Sequence, residues 1–441
     1  MNISSITANQ LSPLLKHRFV HNTGWIVLAR IFQMALAFVI SLLTARYLGP
    51  SNFGILNYTQ SFVIFFVPVC TLGLNGIIVK EILDRPHSVG QTLGTMIGLR
   101  LLSSLASLGC ILVIVYYMNR NALFVWVAFL QTFMLIFQTF DSINYWYQSK
   151  LFSKRTALIA LTGYSVMSAY RVLMLILHKD VTWFAFAMSL DYLVIAVLLT
   201  YYYFKDGGQR FSFSFTLGKN MLGKSYHFIL SGLMVVIYGQ MDKIMLGKML
   251  DDTAVGYYSA ALSLCNTWPF ILGALIDSAR PLIMEVHTNK PLYYKRIRQL
   301  YAAVLWIGIA VSAGITLFAP FVIRLAYGKA YLPSILPLQI VTWYTSFSYL
   351  GVARGIWLVC ENKQRYEKIL AGMGALSNFF LNLTLIPLWG IAGAALATLL
   401  TQMITNFLVL FLFKGTRENA FLILDSLFFR GIFPLRVNPN A

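Results

Sequence analysis

Charge is what this chain has least of. Only 11% of its 441 residues are Asp, Glu, Lys or Arg, while 58% are hydrophobic. A soluble domain needs about 25% charged residues for its surface, so a water-soluble globular fold is excluded. Acids are the scarcer sign, 15 against 34 Lys and Arg, which leaves a formal net charge of +19. Cysteine occurs only at Cys70, Cys110, Cys265 and Cys360, each alone in an apolar stretch. That pattern lacks the paired spacing of metal or redox sites and leaves packing as the role. The histidines are scattered, with no HExxH or similar cluster, and no cofactor is implied. Met1 to His21 is polar and the first apolar run lacks a cleavage motif, so nothing resembles a removed signal peptide. The N-terminus is expected in the cytoplasm.

What the chain has in abundance is apolar length. From Gly24 to Phe413 there are about twelve apolar segments of roughly 20 residues, enough to cross a hydrocarbon core about 30 Å thick. They begin near Gly24, Phe53, Thr92, Ala122, Thr156 and Thr182, then near Tyr226, Val255, Gln299, Ile335, Lys368 and Ile391. The expected fold is an all-α integral membrane protein of two six-helix lobes, residues 1–204 and 226–413. Residues 205–225 would form a cytoplasmic interfacial linker and 414–441 a cytoplasmic tail too short and too interrupted by Asp425 and Arg430 to span. Equal halves suit a transporter built from two repeats around a central site, although no residue-level repeat is visible.

The basic excess invites a nucleic-acid reading, but topology accounts for it better. With the N-terminus inside, the basic residues concentrate in the alternate loops that are cytoplasmic, as in Lys290, Lys295, Arg296 and Arg298. This is the positive-inside bias. Both termini are then cytoplasmic, and Pro50 and Asp251 are external. External loops are very short, the one between Leu388 and Ile391 scarcely a turn, which leaves no room for a catalytic domain.

Against that background, charges within the spans are informative. Arg30, Arg100, Arg171, Arg354, Asp191, Asp242, Lys243 and Asp277 all lie in apolar stretches. A charge at bilayer depth costs roughly 3 kcal/mol or more, so it is normally kept for a hydrated cavity or a partner. In the first span Thr23, Arg30, Gln33, Ser41 and Thr44 fall within an arc of roughly 80° at about 100° per residue. The second carries Asn57, Gln60, Ser61, Thr71 and Asn75, with Pro68 on the same face as the expected kink point. In the seventh span Ser231, Tyr238 and Asp242 share a face, and in the eighth Ser259, Ser263, Asn266 and Asp277 do so. Such residues can glue helices together, the equal alternative for Ser103, Ser104 and Ser107. A full positive charge without an acid in its own span, as at Arg30, favours a cavity instead.

Arginine presents a fixed fork of donors suited to phosphate oxygens and stays protonated. Arg30, Gln33, Asn57, Gln60, Arg171 and Tyr238 are therefore the candidate substrate-binding residues. Arg100 and Arg171 have the alternative of pairing with Asp191 or Asp141. Arg354 shares a face with Trp357 and Glu361, so cation–π stacking or local pairing is its default. Asp191, Asp242, Lys243 and Asp277 are coupling or ion-pair candidates. Burial of Asp242 or Asp277 would favour exchange of a proton; neutralisation of Lys243 is the plainer role for Asp242.

Three stretches carry a family resemblance: RIFQMALAFVISLLTARYLGPSNFG from Arg30, MDKIMLGKMLDDTAVGYYSAALSL from Met241, and LIPLWGIAGAALAT from Leu385. Together the chain resembles, end to end, the Wzx-type O-antigen flippases of the multidrug/oligosaccharidyl-lipid/polysaccharide exporter superfamily. The resemblance implies a V-shaped pair of lobes around a cationic cavity in the bacterial inner membrane. It also implies translocation of undecaprenyl-pyrophosphate-linked oligosaccharide from the cytoplasmic to the periplasmic leaflet. Arg30 matches the family's first-span arginine, taken to face the lipid-linked phosphate, and Asp242 and Lys243 its seventh-span acid–base pair. Membrane lipids are partners. A proton or sodium ion is the candidate coupling ion, and a polysaccharide polymerase and chain-length regulator are candidate protein partners. A multidrug antiporter of the same superfamily is the nearest rival, expected to carry more acid in its first lobe. A polytopic polymerase or ligase would need a large external loop, which this chain lacks.

Overall fold

Hydrocarbon offers no hydrogen bonds, so apolar runs of span length must satisfy their own backbone, and the helix does this within one segment. In the computed structural model residues 8–150 and 152–430 are described, with side chains from residue 33 onward, residue 153 excepted. Among the described residues every regular element is helical. In chain order they are α1 (Ala8–Thr71), α2 (Ile78–Asp84), α3 (Val89–Met118), α4 (Ala122–Phe137), α5 (Ser142–Ser149), α6 (Ser153–Ile176) and α7 (Val181–Lys205). Then come α8 (Phe215–Met249), α9 (Asp252–Cys265), α10 (Phe270–Glu285), α11 (Lys290–Ala326), α12 (Ile335–Val341), α13 (Tyr344–Cys360), α14 (Arg365–Asn406) and α15 (Arg417–Leu427).

Eight described helical stretches are long and apolar enough to cross a membrane, and α9 with α10, bent by 43° at their break, makes a ninth. Two of the long helices are not single rods. Gly49 (φ 72, ψ 172) interrupts α1 and Gly390 (φ 56, ψ −129) interrupts α14. Positive φ is nearly free for glycine and costly for residues with a Cβ, so the chain reverses at these points. Dividing both helices there, and taking α12 with α13 as one more crossing, accounts for the about twelve segments that length predicts.

The contacts divide the chain into two compact units. The first comprises Met1–Thr44 and Phe66–Leu230, the second Ala45–Phe65 and Ser231–Ala441. The first unit buries Leu74, Ile78, Met96, Trp146, Tyr203 and Met221 in a common core. Its least regular part is the segment after α7. Gly90, Gly94 and Gly98, one turn apart on α3, leave a groove in which residues 209–213 lie close enough that a Cβ at each glycine would meet them. Ser212 N donates to Gly90 O at 3.3 Å, Gly90 N to Gln209 Oε1 at 2.9 Å and Ser214 N to Thr95 Oγ1 at 3.0 Å. The Phe211 ring stacks on Tyr203 with centroids 5.1 Å apart. Lys224 pairs with Glu81 at 2.5 Å, and the Ser225 hydroxyl donates to Leu72 O at 2.8 Å. The alternating Phe–Ser pattern is thus a strip laid along α3.

The second unit is organised on Trp268, Leu272, Tyr293, Tyr301, Leu350, Trp357 and Ile423. The tail helix α15 belongs to it: Asn419 Nδ2 donates to Tyr301 Oη at 2.7 Å, Arg298 pairs with Asp425 at 3.2 Å, and Tyr294 donates to Glu418 at 2.5 Å. Within this unit two of the sequence motifs meet. The chain after Gly49 crosses the start of α9 so closely that a Cβ on Gly54 would overlap the Asp252 carbonyl, and one on Gly256 the Pro50 carbonyl. Ser51 donates to Asp252, and Tyr331 Oη donates to Ala45 O at 2.7 Å.

Candidate functional site

The most completely coordinated charge is Asp242, on α8 and 4% exposed. Its Oδ1 accepts from Asn378 Nδ2 at 2.9 Å and Asn382 Nδ2 at 2.6 Å. Its Oδ2 accepts from Tyr258 Oη at 2.6 Å and from the Thr398 hydroxyl. The sequence explains how these converge. Asn378 and Asn382 are four apart and so share a face of α14, while the Gly390 break brings Thr398 back on the second limb of the same helix. Tyr258 comes from α9 and also touches Thr398 at 2.8 Å. A buried carboxylate without donors is prohibitive, and four neutral donors solvate this one without an ion pair. Asn382 Oδ1 is buried beside it without a donor. Lys243 and Asp242 interact electrostatically through space, with no direct ion pair between them among the described residues.

In the first unit Arg171 on α6 is bonded to Asp191 on α7, side chains 23% and 15% exposed, which is the pairing alternative read from the sequence. Asp191 Oδ1 has no donor. Arg100 on α3 is 2% exposed. It donates to Ser142 Oγ at 3.0 Å and to Asn75 Oδ1 rather than to a carboxylate, with Asp141 near it only through space. Gln33 lies beside the Tyr164 hydroxyl. Arg30, the central candidate, lies outside the residues whose side chains are described.

The remaining candidates disperse. Asn57 donates to Phe53 O of its own helix at 2.9 Å and, with Gln60, is half-buried in the part of α1 that belongs to the second unit. Tyr238, one turn before Asp242, lines a cavity of about 180 Å³ with Arg354. Two expectations are corrected. Arg354 neither stacks on Trp357 nor pairs with Glu361: Lys363 lies over the Trp357 ring at 4.4 Å, and Glu361 is held by Lys290 at 2.8 Å. Adjacent position on a helix face did not decide partners, because Lys363 from the turn after α13 and Lys290 from the start of α11 occupy them. Asp277 does not share a continuous face with Ser259 and Ser263. The 43° break between α9 and α10 ends the helical phase, and the Asp277 side chain is 76% exposed, pairing with Arg280 at 3.6 Å.

Asn378, Asn382, Tyr258 and Thr398 were not singled out from the sequence. The available signal was an amide pair spaced i, i+4 in an apolar span. Tyr258 and Thr398 also sit within the second and third motif stretches.

Comparison with known proteins bears on what these arrangements belong to. Residues 19–287 match the family model described as polysaccharide biosynthesis protein. The chain belongs to the polysaccharide biosynthesis protein family. A relative from Escherichia coli (strain K12), named as a proposed O-antigen transporter, is 23% identical over 407 residues, covering 88% of this chain and 94% of its own. An uncharacterized membrane protein of Methanocaldococcus jannaschii is 19% identical over 92% of this chain and 86% of its own. Among solved structures, the lipid II flippase MurJ in an inward closed conformation aligns with TM-score 0.70 at 15% identity, covering 91% of this chain and 90% of its own. An inward-facing multidrug resistance transporter of the MATE family aligns with TM-score 0.68 at 16% identity, covering 89% and 96%. This member of the polysaccharide biosynthesis family therefore has the fold of the MATE and MurJ transporters and is a multi-pass membrane protein. Its crossing glycines Gly54 and Gly256 give a structural reason for two of the sequence motifs.

Proposed function

We propose that this chain is a flippase that moves undecaprenyl-pyrophosphate-linked oligosaccharide from the cytoplasmic to the periplasmic leaflet of a bacterial inner membrane, with both termini cytoplasmic. The observation that carries the reading is the family match over residues 19–287. Physical chemistry supports it. A pyrophosphate and several sugars cannot cross bare hydrocarbon, because each polar group would lose its water unpaired. A protein that does this needs cations for phosphate and amides and hydroxyls for sugar, side-chain types that all occur within its apolar spans. The antiporter alternative calls for carboxylates in the first unit; there Asp191 is committed to Arg171 and Asp141 lies in the field of the Arg100 guanidinium.

Coupling belongs to the same reading. Asp242 is ringed by side-chain hydroxyls and amides, whose oxygens together with its carboxylate suit a hard cation such as sodium. Proteoliposomes with a fluorescent lipid-linked oligosaccharide test both parts. Flipping that needs this protein supports the assignment, and loss of its dependence on an imposed gradient in Asp242→Asn supports coupling. Cells lacking the gene should accumulate lipid-linked repeat units on the cytoplasmic leaflet; unchanged surface polysaccharide in such cells would sink the substrate assignment.

A further inference from the structure

The cavity beside Tyr238 is separate from the Asp242 cluster and is an open recess in the second unit, lined by α8, α13 and both limbs of α14. Its chemistry is unusual for the interior of a lobe. Arg354 is 5% exposed, yet among the described residues its guanidinium makes one long hydrogen bond, Nη1 to Thr405 O at 3.4 Å, and its Nε is buried with no acceptor. Around it, the hydroxyls of Thr401 and Thr405 are buried without partners. Gln402 accepts from Asn406 through Oε1 at 2.7 Å, which leaves its amide nitrogen to donate. Tyr238 and Gln402 both line the space. A buried guanidinium with so little compensation is strongly unfavourable unless something else accepts its hydrogens.

The acid that lines the cavity does not fill that role. Glu367 is exposed, in the first turn of α14, and acts on Arg354 only through space. The same turn carries Arg365 and Lys368, so it is basic on balance. At about 180 Å³ the cavity is well beyond the ~10–15 Å³ that one water requires. It is smaller than the ~300 Å³ at which sites for larger organic ligands begin. That size accepts one polyatomic ion.

We propose that this cavity is a binding site for a small oxyanion of the phosphate class, held by the Arg354 fork and by hydroxyl and amide donors from Tyr238, Thr401, Gln402 and Thr405. The anion joins α8, α13 and the two limbs of α14 through one ligand. The site does not depend on the flippase assignment, and the same chemistry fits a free phosphate ion or the terminal phosphate of a lipid.

The test is calorimetric titration of the purified full-length protein in nanodiscs with sodium phosphate, against sodium chloride at matched ionic strength. Wild type should bind phosphate with saturating heat. Arg354→Gln should weaken it at least about tenfold, as expected for loss of a charge-assisted contact. Thr401→Val, which keeps shape and removes only the hydroxyl, should weaken it about threefold to tenfold. Farnesyl phosphate, with farnesol as control, distinguishes the source: competition with inorganic phosphate identifies a lipid headgroup, and independence identifies the free ion. Absence of phosphate-specific heat in wild type overturns the proposal. So does wild-type affinity in Arg354→Gln or, should that variant fail to fold, in both Thr401→Val and Gln402→Leu.

Discussion

At the scale of single residues, the charges in the spans have sorted into different kinds of compensation. Arg171 and Asp191 neutralise each other, Asp242 is solvated by neutral donors, and Arg100 is held by an amide and a hydroxyl. These imply different responses to substitution. Truncating one member of a fully buried ion pair costs about 3–5 kcal/mol because the other charge is left uncompensated. With side chains 23% and 15% exposed, Arg171→Ala should cost less, about 1–3 kcal/mol. Adding Asp191→Asn to Arg171→Ala should restore part of the loss in thermal unfolding; strict additivity would mean the pair contributes nothing. Asn382→Leu should destabilise by about 1–3 kcal/mol, since it removes a donor from a carboxylate that cannot reach water. Arg30→Ala should abolish surface-polysaccharide export at normal protein levels, and Arg30→Lys should retain part, because a point charge does not reproduce the fork. Normal export by Arg30→Ala would remove that residue from the proposed site.

At the scale of elements, close crossings and short loops carry the consequences. Gly54 and Gly256 lie where backbone meets backbone, and neither Asp252 nor Pro50 can yield as a flexible side chain would. Gly54→Ala and Gly256→Ala should each lower the thermal midpoint or the folded yield, while Gly109→Ala, where nothing lies within 4 Å, should not. Equal behaviour of all three would show the crossing to be looser than described. The turn between α13 and α14 makes a prediction in pH. Burial tends to raise the Glu361 carboxyl, but its bond to Lys290 and the nearby His287 and Lys363 outweigh this and hold it below its ordinary value of 4.5. A depressed carboxyl stabilises the fold above its unfolded pKa, and that stability is lost as pH falls through the depressed folded value. The gap in thermal midpoint between wild type and Lys290→Ala should therefore be present at neutral pH and close in acid; a gap independent of pH would place the effect of Lys290 elsewhere.

At the scale of the whole molecule, orientation is the property that a membrane imposes and that charge distribution reads. The basic stretch from Lys290 to Arg298, which opens α11, should be inaccessible to impermeant thiol reagents after cysteine substitution, while Pro50→Cys and Asp251→Cys should label from outside intact cells. External labelling of the basic stretch would invert the topology and with it the direction assigned to transport. The sequence by itself determined the class of protein, the helical spans and most of their starting points. Those follow from local causes, since hydrocarbon length, helical self-satisfaction and loop charge act within a segment. It also made the Arg171–Asp191 pairing one of two stated alternatives. Only the tertiary structure decided that Asp242 gathers Asn378, Asn382, Tyr258 and Thr398, that Arg354 turns away from Trp357 and Glu361, and that Asp277 leaves the polar face of its span. The first and third depend on a return of the chain at a glycine or a break in helical phase, and the second on lysines brought in from neighbouring segments. Periodicity says which residues share a face of one helix; it carries no information across Gly390 or the bend after Cys265, where direction is set by packing.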